Sequence, residues 1–380
     1  MKISIVVQYY NRRKQFINTL DSIKQTSMSL NDIEVIVVDD ASDDENSISD
    51  IHLLYPDINI TVYSFKKEDK WWSCPVIPIN KGISMASGDV ILLLCAECMF
   101  VGDILSDIKN RIKPNDYLVY STLAISEEIT NIIPSISYNN LTSDLFKGDW
   151  YQHSIHNNKC YNFCTALLKQ DLYRLGGFDE RFAAGYDSGD LDFIWRVREI
   201  GMNIESIDYP LTYHQWHPPY LFDEFSQKDN ISNLTGYSLH RYIVENESEK
   251  LKQTGFKCAI VENSFIRDSD YIPNEPELVE VEKLIEFKFN IERFENTIIE
   301  FSCEYSNIKA DLKITDLETK SPIYFEIRNN TWKKFDLVAN SEICEVEISI
   351  DGKIIYSSDI SLNKSISLFI EKKIKILSHF

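Results

Sequence analysis

The sequence is short of positive charge. Its 380 residues carry 39 Lys and Arg against 59 Asp and Glu, a formal net charge of −20. A surface of that sign repels phosphate backbones and anionic headgroups, which excludes nucleic acid as a partner held by a basic patch. Long apolar runs are also lacking. The longest, Val90–Ala96, has seven residues, where a bilayer-spanning helix needs about 20, so it reads as a buried strand. The opening MKISIVVQYYNR carries one Lys and an apolar stretch broken at Gln8, unlike a secretory leader. Eight cysteines are scattered without an export signal, so the expectation is a reduced, cytoplasmic chain. A four-thiolate zinc site from Cys95/Cys98 and Cys160/Cys164 is the minor reading, because neither pair has the flanking turn residues of a zinc knuckle.

What is present divides the chain. At roughly 100–200 residues per domain, the length predicts two domains. Apolar runs at Ile3–Val7, Ile33–Val38, Asn59–Tyr63 and Val90–Leu94 alternate with helical periodicity, including a helix over Lys81–Ala86 that Gly88 would cap. Strands apolar along their length and separated by helices predict a parallel sheet covered on both faces. Residues 1–222 read as such an α/β domain and 223–275 as a helical or irregular connection. From Glu277 short alternating strands take over, at Leu278–Val281, Leu284–Phe289, Ile298–Cys303, Ala310–Ile314, Ile323–Ile327 and Cys344–Ile350, with an Asp351-Gly352 hairpin signal. Residues 276–380 therefore read as an antiparallel β-sandwich.

In a doubly wound sheet the ligand lies beyond the carboxyl ends of the strands. That directs attention to Gln8–Arg12, Asp39–Ser42 and Cys95–Cys98. Asp39-Asp40 could accept hydrogen bonds from a base and a ribose, or simply form a cap or Asx-turn. Glu97 brings a carboxylate to the same crevice, where a divalent cation on phosphate oxygens wants one or two. Asp187, Asp190 and Asp192 crowd three carboxylates where a helix begins. One carboxylate suffices for a cap, and repulsion among three would raise a pKa toward that of a general base. Tyr213-His214-Gln215-Trp216-His217 offers two histidines as metal ligands.

Together these motifs resemble the inverting, family 2-type glycosyltransferases of the GT-A fold. ISIVVQYYNR is similar to that family's first nucleotide-binding strand, and IEVIVVDDAS to its second, with the uracil-contacting Asp. Pro78-Ile79-Asn80-Lys81-Gly82 and Ala86-Ser87-Gly88-Asp89 resemble the segment before its metal strand. GGFDERF…DLDFIWR resembles its acceptor-side motif, also close to that of β-1,4-galactosyltransferases. The resemblance covers residues 2–220. It implies that Asp39, Asp40, Gln8, Tyr10, Asn11, Asn80, Lys81 and Ala96 bind the donor, a UDP-sugar. It places Asp190 as the base, with Asp187 its rival and Asp192 beside it in the acceptor motif. Glu97 and His214 would hold Mn2+ or Mg2+, with His217 in reserve. The family's D-x-D reads Cys95-Ala96-Glu97 here, so its first Asp is missing, and its E-D pair reads Gly189-Asp190. The implied reaction is transfer of a hexose or N-acetylhexosamine to a glycan or lipid-linked acceptor.

Two other classes compete. A sugar nucleotidyltransferase would carry a glycine-rich loop after the first strand, which Gln8-Tyr9-Tyr10-Asn11 lacks. A catalytically impaired glycan-binding module would explain the lost Asp, but not the retained Asp190, Asp192 and Arg196. The C-terminal domain reads first as a scaffold or homo-oligomerisation domain. The sharper alternative is glycan binding through Trp332, Tyr305 and Tyr324. The lysines of the final ISLFIEKKIKIL suit a solvated strand face better than peripheral contact with the inner face of a membrane.

Overall fold

The computed structural model describes residues 1–138, 141, 148–183 and 188–218, together with Lys320 and the strands between Leu278 and His379. These residues fall into two compact units. The connecting region 223–275 and Asp187 lie outside the described residues. Among the described residues no helix is long and apolar enough to cross a membrane.

The first unit runs β1 (Ile3–Tyr9), α1 (Arg13–Thr26), β2 (Ile33–Asp39), α2 (Ile51–Leu54), β3 (Asn59–Ser64), α3 (Val76–Met85), β4 (Val90–Cys95), β5 (Cys98–Val101), α4 (Ile104–Arg111), β6 (Asp116–Ala124), α5 (Glu127–Ile132), β7 (Trp150–Gln152), β8 (Cys164–Leu168), α6 (Lys169–Leu175), α7 (Ser188–Glu199) and β9 (Asn203–His214). Its sheet has the order β3-β2-β1-β4-β8-β6-β9-β5, with β7 on the edge of β6. β1 is parallel to both β2 and β4, and β8 enters antiparallel beside β4.

The continuous apolar runs have their physical reason in this sheet. Ile3, Ile5, Val7, Val90, Leu92 and Leu94 point to one face, against Phe16 and Leu20 of α1 and Ile104 of α4. Val6, Ile91 and Leu93 point to the other, against Ile79 and Ile83 of α3 and Phe193 of α7. A strand buried on both faces has no polar side to show. β3 is the exception: it lies at the sheet edge and none of its residues is fully buried.

Two details differ from the sequence reading. The third helix begins five residues early, at Val76, and ends before Gly88. Gly88 does not cap it. A Cβ there would lie 2.8 Å from the Ser4 nitrogen and 2.9 Å from the Lys2 oxygen, so the residue is a point of backbone contact with β1. Gly176 and Gly177 do end a helix, α6. Both have positive φ, and their N–H groups reach Tyr173 O and Leu172 O.

The second unit holds two four-stranded antiparallel sheets. One joins β10 (Leu278–Phe294), β11 (Ile298–Glu304), β14 (Trp332–Asp336) and β17 (Ile366–His379); the other joins β12 (Ala310–Asp316), β13 (Pro322–Ile327), β15 (Ile343–Ile350) and β16 (Lys353–Ser361). Leu312, Ile314, Cys344, Val346 and Ile348 are buried and alternate with half-buried residues, as the period predicts. The two short strands expected over 278–289 are one strand, because its ladder with β17 continues through Glu282 opposite Lys375. Ile350 pairs with Lys353 across the expected hairpin position. Of the proposed stacking residues, Tyr324 is exposed on β13 opposite Lys313, Trp332 belongs to β14, and Tyr305 lies outside the described residues.

The amino end of the first sheet is held by a small polar knot. Glu34 accepts from Ser4 Oγ (2.5 Å), Ser87 N (2.7 Å) and Ser87 Oγ (2.9 Å), and pairs with Lys2 Nζ (2.6 Å). Burial alone would raise its pKa, but these donors pull it down to about 2. A carboxyl whose pKa is lowered by folding stabilises above its unfolded value, and that stability is lost as pH falls through the folded one. Denaturant titrations of the wild type are therefore expected to show stability falling between the ordinary glutamate range and pH 2, with Glu34→Gln flattening that slope. Gly88→Ala is expected to cost about 1–3 kcal/mol in the same measurement, through overpacking against β1.

Candidate functional site

The carboxyl edge of β2, β1 and β4 is where the polar residues gather. In the register Tyr9 lies beside Asp39 and Gln8 beside Cys95, so the three strands end together. The loops that leave them adopt left-handed backbone at Asn11 (φ 49°) and Ala41 (φ 63°), the kind of local cost that clusters at functional sites. They are stitched to each other: Asn11 N donates to Ser42 Oγ (2.9 Å), Asn11 Nδ2 to Asp43 Oδ2 (3.0 Å), and Asp43 N to Asn11 Oδ1 (2.8 Å).

After β4, Ala96 and Glu97 make a two-residue turn into β5, whose Cys98 pairs with His214 at the end of β9. The turn therefore delivers Glu97 to the histidines. Its Oε1 lies 3.3 Å from His214 Nε2 and 3.6 Å from His217 Nε2. The ligand atoms of all three residues fall within 4.8 Å of one another. Burial would push the Glu97 carboxyl up, but the hydrogen bonds and charges of the two imidazoles hold it well below its usual range. One carboxylate and two imidazoles form a three-donor face with open positions, a set suited to a divalent transition metal. His217, expected only as a reserve, is thus a full member. Its Nδ1 contacts Pro218 O and Arg12 Nη2, both at 2.9 Å. Such outer contacts orient a metal-binding ring.

The expected donor-site residues divide into two sets. Asp39 is buried at the end of β2, where it accepts from Ser42 N (3.0 Å) and, at 3.4 Å, from Ser64 Oγ. Asp40 is occupied: it pairs with Lys70 Nζ (2.8 Å) and accepts from Trp72 Nε1 (2.8 Å). Desolvation nevertheless keeps its pKa raised. Lys70 also lies over the Tyr10 ring at 4.2 Å. Gln8 Nε2 approaches Cys95 Sγ at 3.6 Å, while Gln8 Oε1 is buried with no partner among the described residues. Asn80 is fully buried and bonds Phe178 O, Phe178 N and Glu180 Oε1, so it braces the 176–182 loop against α3. Lys81, also buried, lies over the Tyr63 ring. Ala96 contributes its carbonyl to Thr19 Oγ1 (2.8 Å).

Asp190 and Asp192 of the acceptor motif do not crowd together as expected. Asp192 is 1% exposed and pairs with Arg196 Nε (2.8 Å), whose Nη1 reaches Leu175 O and Gly177 O. That ion pair ties α7 to the end of α6. Residues two apart on a helix do not share a face, so Asp190 looks elsewhere. It is half-buried and meets the Asn162 amide, with the amide nitrogen turned to the carboxylate, at 2.6 and 3.1 Å. Asp187 lies outside the described residues. Among the described residues Cys95, Cys98, Cys160 and Cys164 form no cluster able to hold a metal, so the zinc reading finds no geometric support.

Three residues escaped the sequence reading as site components: Lys70, Asn162 and Gln215. Gln215 is fully buried and donates to Glu97 O (3.1 Å) and Gln15 O (2.9 Å), while accepting from Asn18 Nδ2 (2.7 Å). A polar residue between two histidines was the available signal, since a buried amide must find partners.

An uncharacterized glycosyltransferase of Bacillus subtilis, YwdF, is 33% identical over 132 residues, 34% of this chain and 46% of that protein, so the chain spans about half of that relative's length. The MG060 homolog of Mycoplasma pneumoniae, also an uncharacterized glycosyltransferase, is 30% identical over 243 residues, 61% of this chain and 76% of its own. Among solved structures, Staphylococcus aureus TarS aligns over 95% of this chain and 77% of its own at 14% identity, with a TM-score of 0.44. The mannosyltransferase PcManGT from Pyrobaculum calidifontis, in complex with GDP-Man and Mn2+, aligns over 68% and 72% at 15% identity, with a TM-score of 0.42. The family model described as "Glycosyltransferase like family 2" matches residues 4–227. That is more than half of the sequence, and the chain belongs to this glycosyltransferase family.

Proposed function

We propose that the protein is an inverting, metal-assisted glycosyltransferase that moves a hexose or N-acetylhexosamine from a UDP-sugar to a hydroxyl of a glycan or lipid-linked saccharide. One observation carries the reading. At a single sheet edge, Glu97, His214 and His217 converge, and Asp190 is tethered to the same strand end through Asn162, whose carbonyl lies 3.9 Å from Cys95 Sγ.

In this reading Asp190 takes the proton of the acceptor hydroxyl as its oxygen attacks the anomeric carbon. The bond from that carbon to the β-phosphate oxygen breaks on the opposite face, UDP departs, and one displacement inverts the configuration. Glu97, His214 and His217 would hold a divalent cation, which when bound supplies positive charge to the leaving diphosphate. Two imidazoles favour Mn2+ over Mg2+, which prefers oxygen ligands. Asp39 and Tyr10 flank the nucleoside, and the unpartnered Gln8 Oε1 accepts from a ligand donor. Asp40, occupied by Lys70 and Trp72, acts through Lys70 rather than on the ribose.

Calorimetry with UDP, GDP and CDP in the presence of Mn2+ tests the donor class; UDP is expected to bind tightest, and absence of heat with all three would return the binding-module reading. Asp190→Asn is expected to slow release of UDP from UDP-N-acetylglucosamine or UDP-glucose by at least about 100-fold, with UDP affinity unchanged. Turnover surviving within a few-fold would move the base to Asp187, since Asp192 is committed to Arg196. Mn2+ titration followed by electron paramagnetic resonance is expected to show binding weakened at least about tenfold by either Glu97→Gln or His217→Ala. Equal Mn2+ binding in both variants would remove the metal from this turn.

A further inference from the structure

We infer that Asn162 is a positioning residue for this reaction: its amide fixes the Asp190 carboxylate in the orientation that receives the acceptor proton, and spaces it from the turn that carries Glu97. The inference rests on the reading of Asp190 as the base.

Both ends of Asn162 are held. Because β8 runs antiparallel to β4, with Cys164 opposite Leu94, the residues preceding β8 lie at the carboxyl end of β4. There Cys95 N donates to Phe163 O (3.0 Å) and Cys95 Sγ approaches Asn162 O (3.9 Å). Glu97 follows two residues later. The Asn162 backbone is thereby fixed to the strand that ends in the metal turn. Its side chain, 7% exposed, extends to α7 and meets Oδ1 of Asp190 at 2.6 Å and Oδ2 at 3.1 Å. A donor shared by both oxygens sets the plane of the carboxylate as well as its place. Asparagine suits the position because it is neutral and short. An acid there would repel Asp190, and an apolar residue would leave the carboxylate without that donor.

The charges of Asp190 and Arg198 act on Tyr117 in opposite directions. Its hydroxyl lies 3.4 Å from Cys160 O, and burial first, then the Asp190 charge, keeps the phenol protonated. Tyr117 therefore brings no charge to the pair. Phe163, the next residue, stands with its ring centroid 5.8 Å from that of His214, so the same segment also borders the histidines.

The test compares Asn162→Leu, which removes the donor at similar volume, with Asn162→Asp, which keeps the shape and adds charge. Two readouts are used: the pH profile of UDP release from UDP-N-acetylglucosamine or UDP-glucose, and a 13C titration of the Asp190 carboxyl, assigned by its disappearance in Asp190→Asn. Asn162→Leu is expected to lower kcat by about 10–100-fold, the cost of a misplaced group, with KM for the sugar nucleotide within twofold. Both variants are expected to move the Asp190 titration and the acid limb of the profile to higher pH, because the charged form loses a donor or gains a like charge. An unchanged titration and an unchanged acid limb in folded, UDP-binding variants would overturn the inference. If Asp190→Asn itself turns over normally, the base reading falls instead, and the 13C titration still decides whether Asn162 holds the carboxylate. Should Asn162→Leu fail to fold, the isosteric Asn162→Asp gives the same two readouts.

Discussion

Four hydrogen bonds converge on the side chain of Gln215, and the geometry of the site depends on them. Its oxygen takes Asn18 Nδ2, and its nitrogen reaches Gln15 O, Thr19 Oγ1 and Glu97 O. The backbone N–H of the same residue also donates to Glu97 O. One buried amide thereby binds three separate pieces of chain: α1, the turn after β4 and the end of β9. A buried polar group left unpaired costs about 1–3 kcal/mol, so each bond is enforced by the desolvation of the others. Glu97, His214 and His217 keep their mutual distances because the backbone carrying them has nowhere else to satisfy its polar groups.

The charge balance of the chain bears on the same place. Residues 1–240 hold 20 Lys and Arg against 33 Asp and Glu, and several bases near the carboxyl edge of the sheet already have partners. Arg13 forks onto Asp50, Lys67 meets Asp43, Lys70 is held by Asp40, and Arg12 bonds Asn11 O and His217. A diphosphate arriving here would have to compete for them. In the proposed function, a cation held by Glu97, His214 and His217 would answer that need without a basic surface.

How much of this was legible varies with the physics of each element. β1, β2 and β4 could be read because strands buried on both faces must be apolar throughout. Asp39 and Glu97 could be read because such strands end abruptly in polar residues. Gly88 was misread as a cap, since a glycine needed for close backbone approach looks the same in sequence as one needed for a left-handed turn. Asp192 and Asp190 look alike on paper, yet one is sealed against Arg196 and the other faces Asn162. Their helical phase separates them only when the helix start is known.

By itself the sequence determined the layered α/β unit, the change to short antiparallel strands near residue 277 and the identity of the acidic and histidine candidates. Those follow from periodicity and residue type, which are local properties. The tertiary structure alone decided that His217 joins Glu97 and His214, that Asp40 is occupied by Lys70 and Trp72, and that Asn162 meets Asp190. The contacts of Asp40, of Asn162 and of Glu97 with the histidines join residues from 28 to more than 100 positions apart in the chain. Such contacts are chosen by strand order and by the requirement that every buried polar group find a partner, and neither constraint can be read from the residues on one side of the contact.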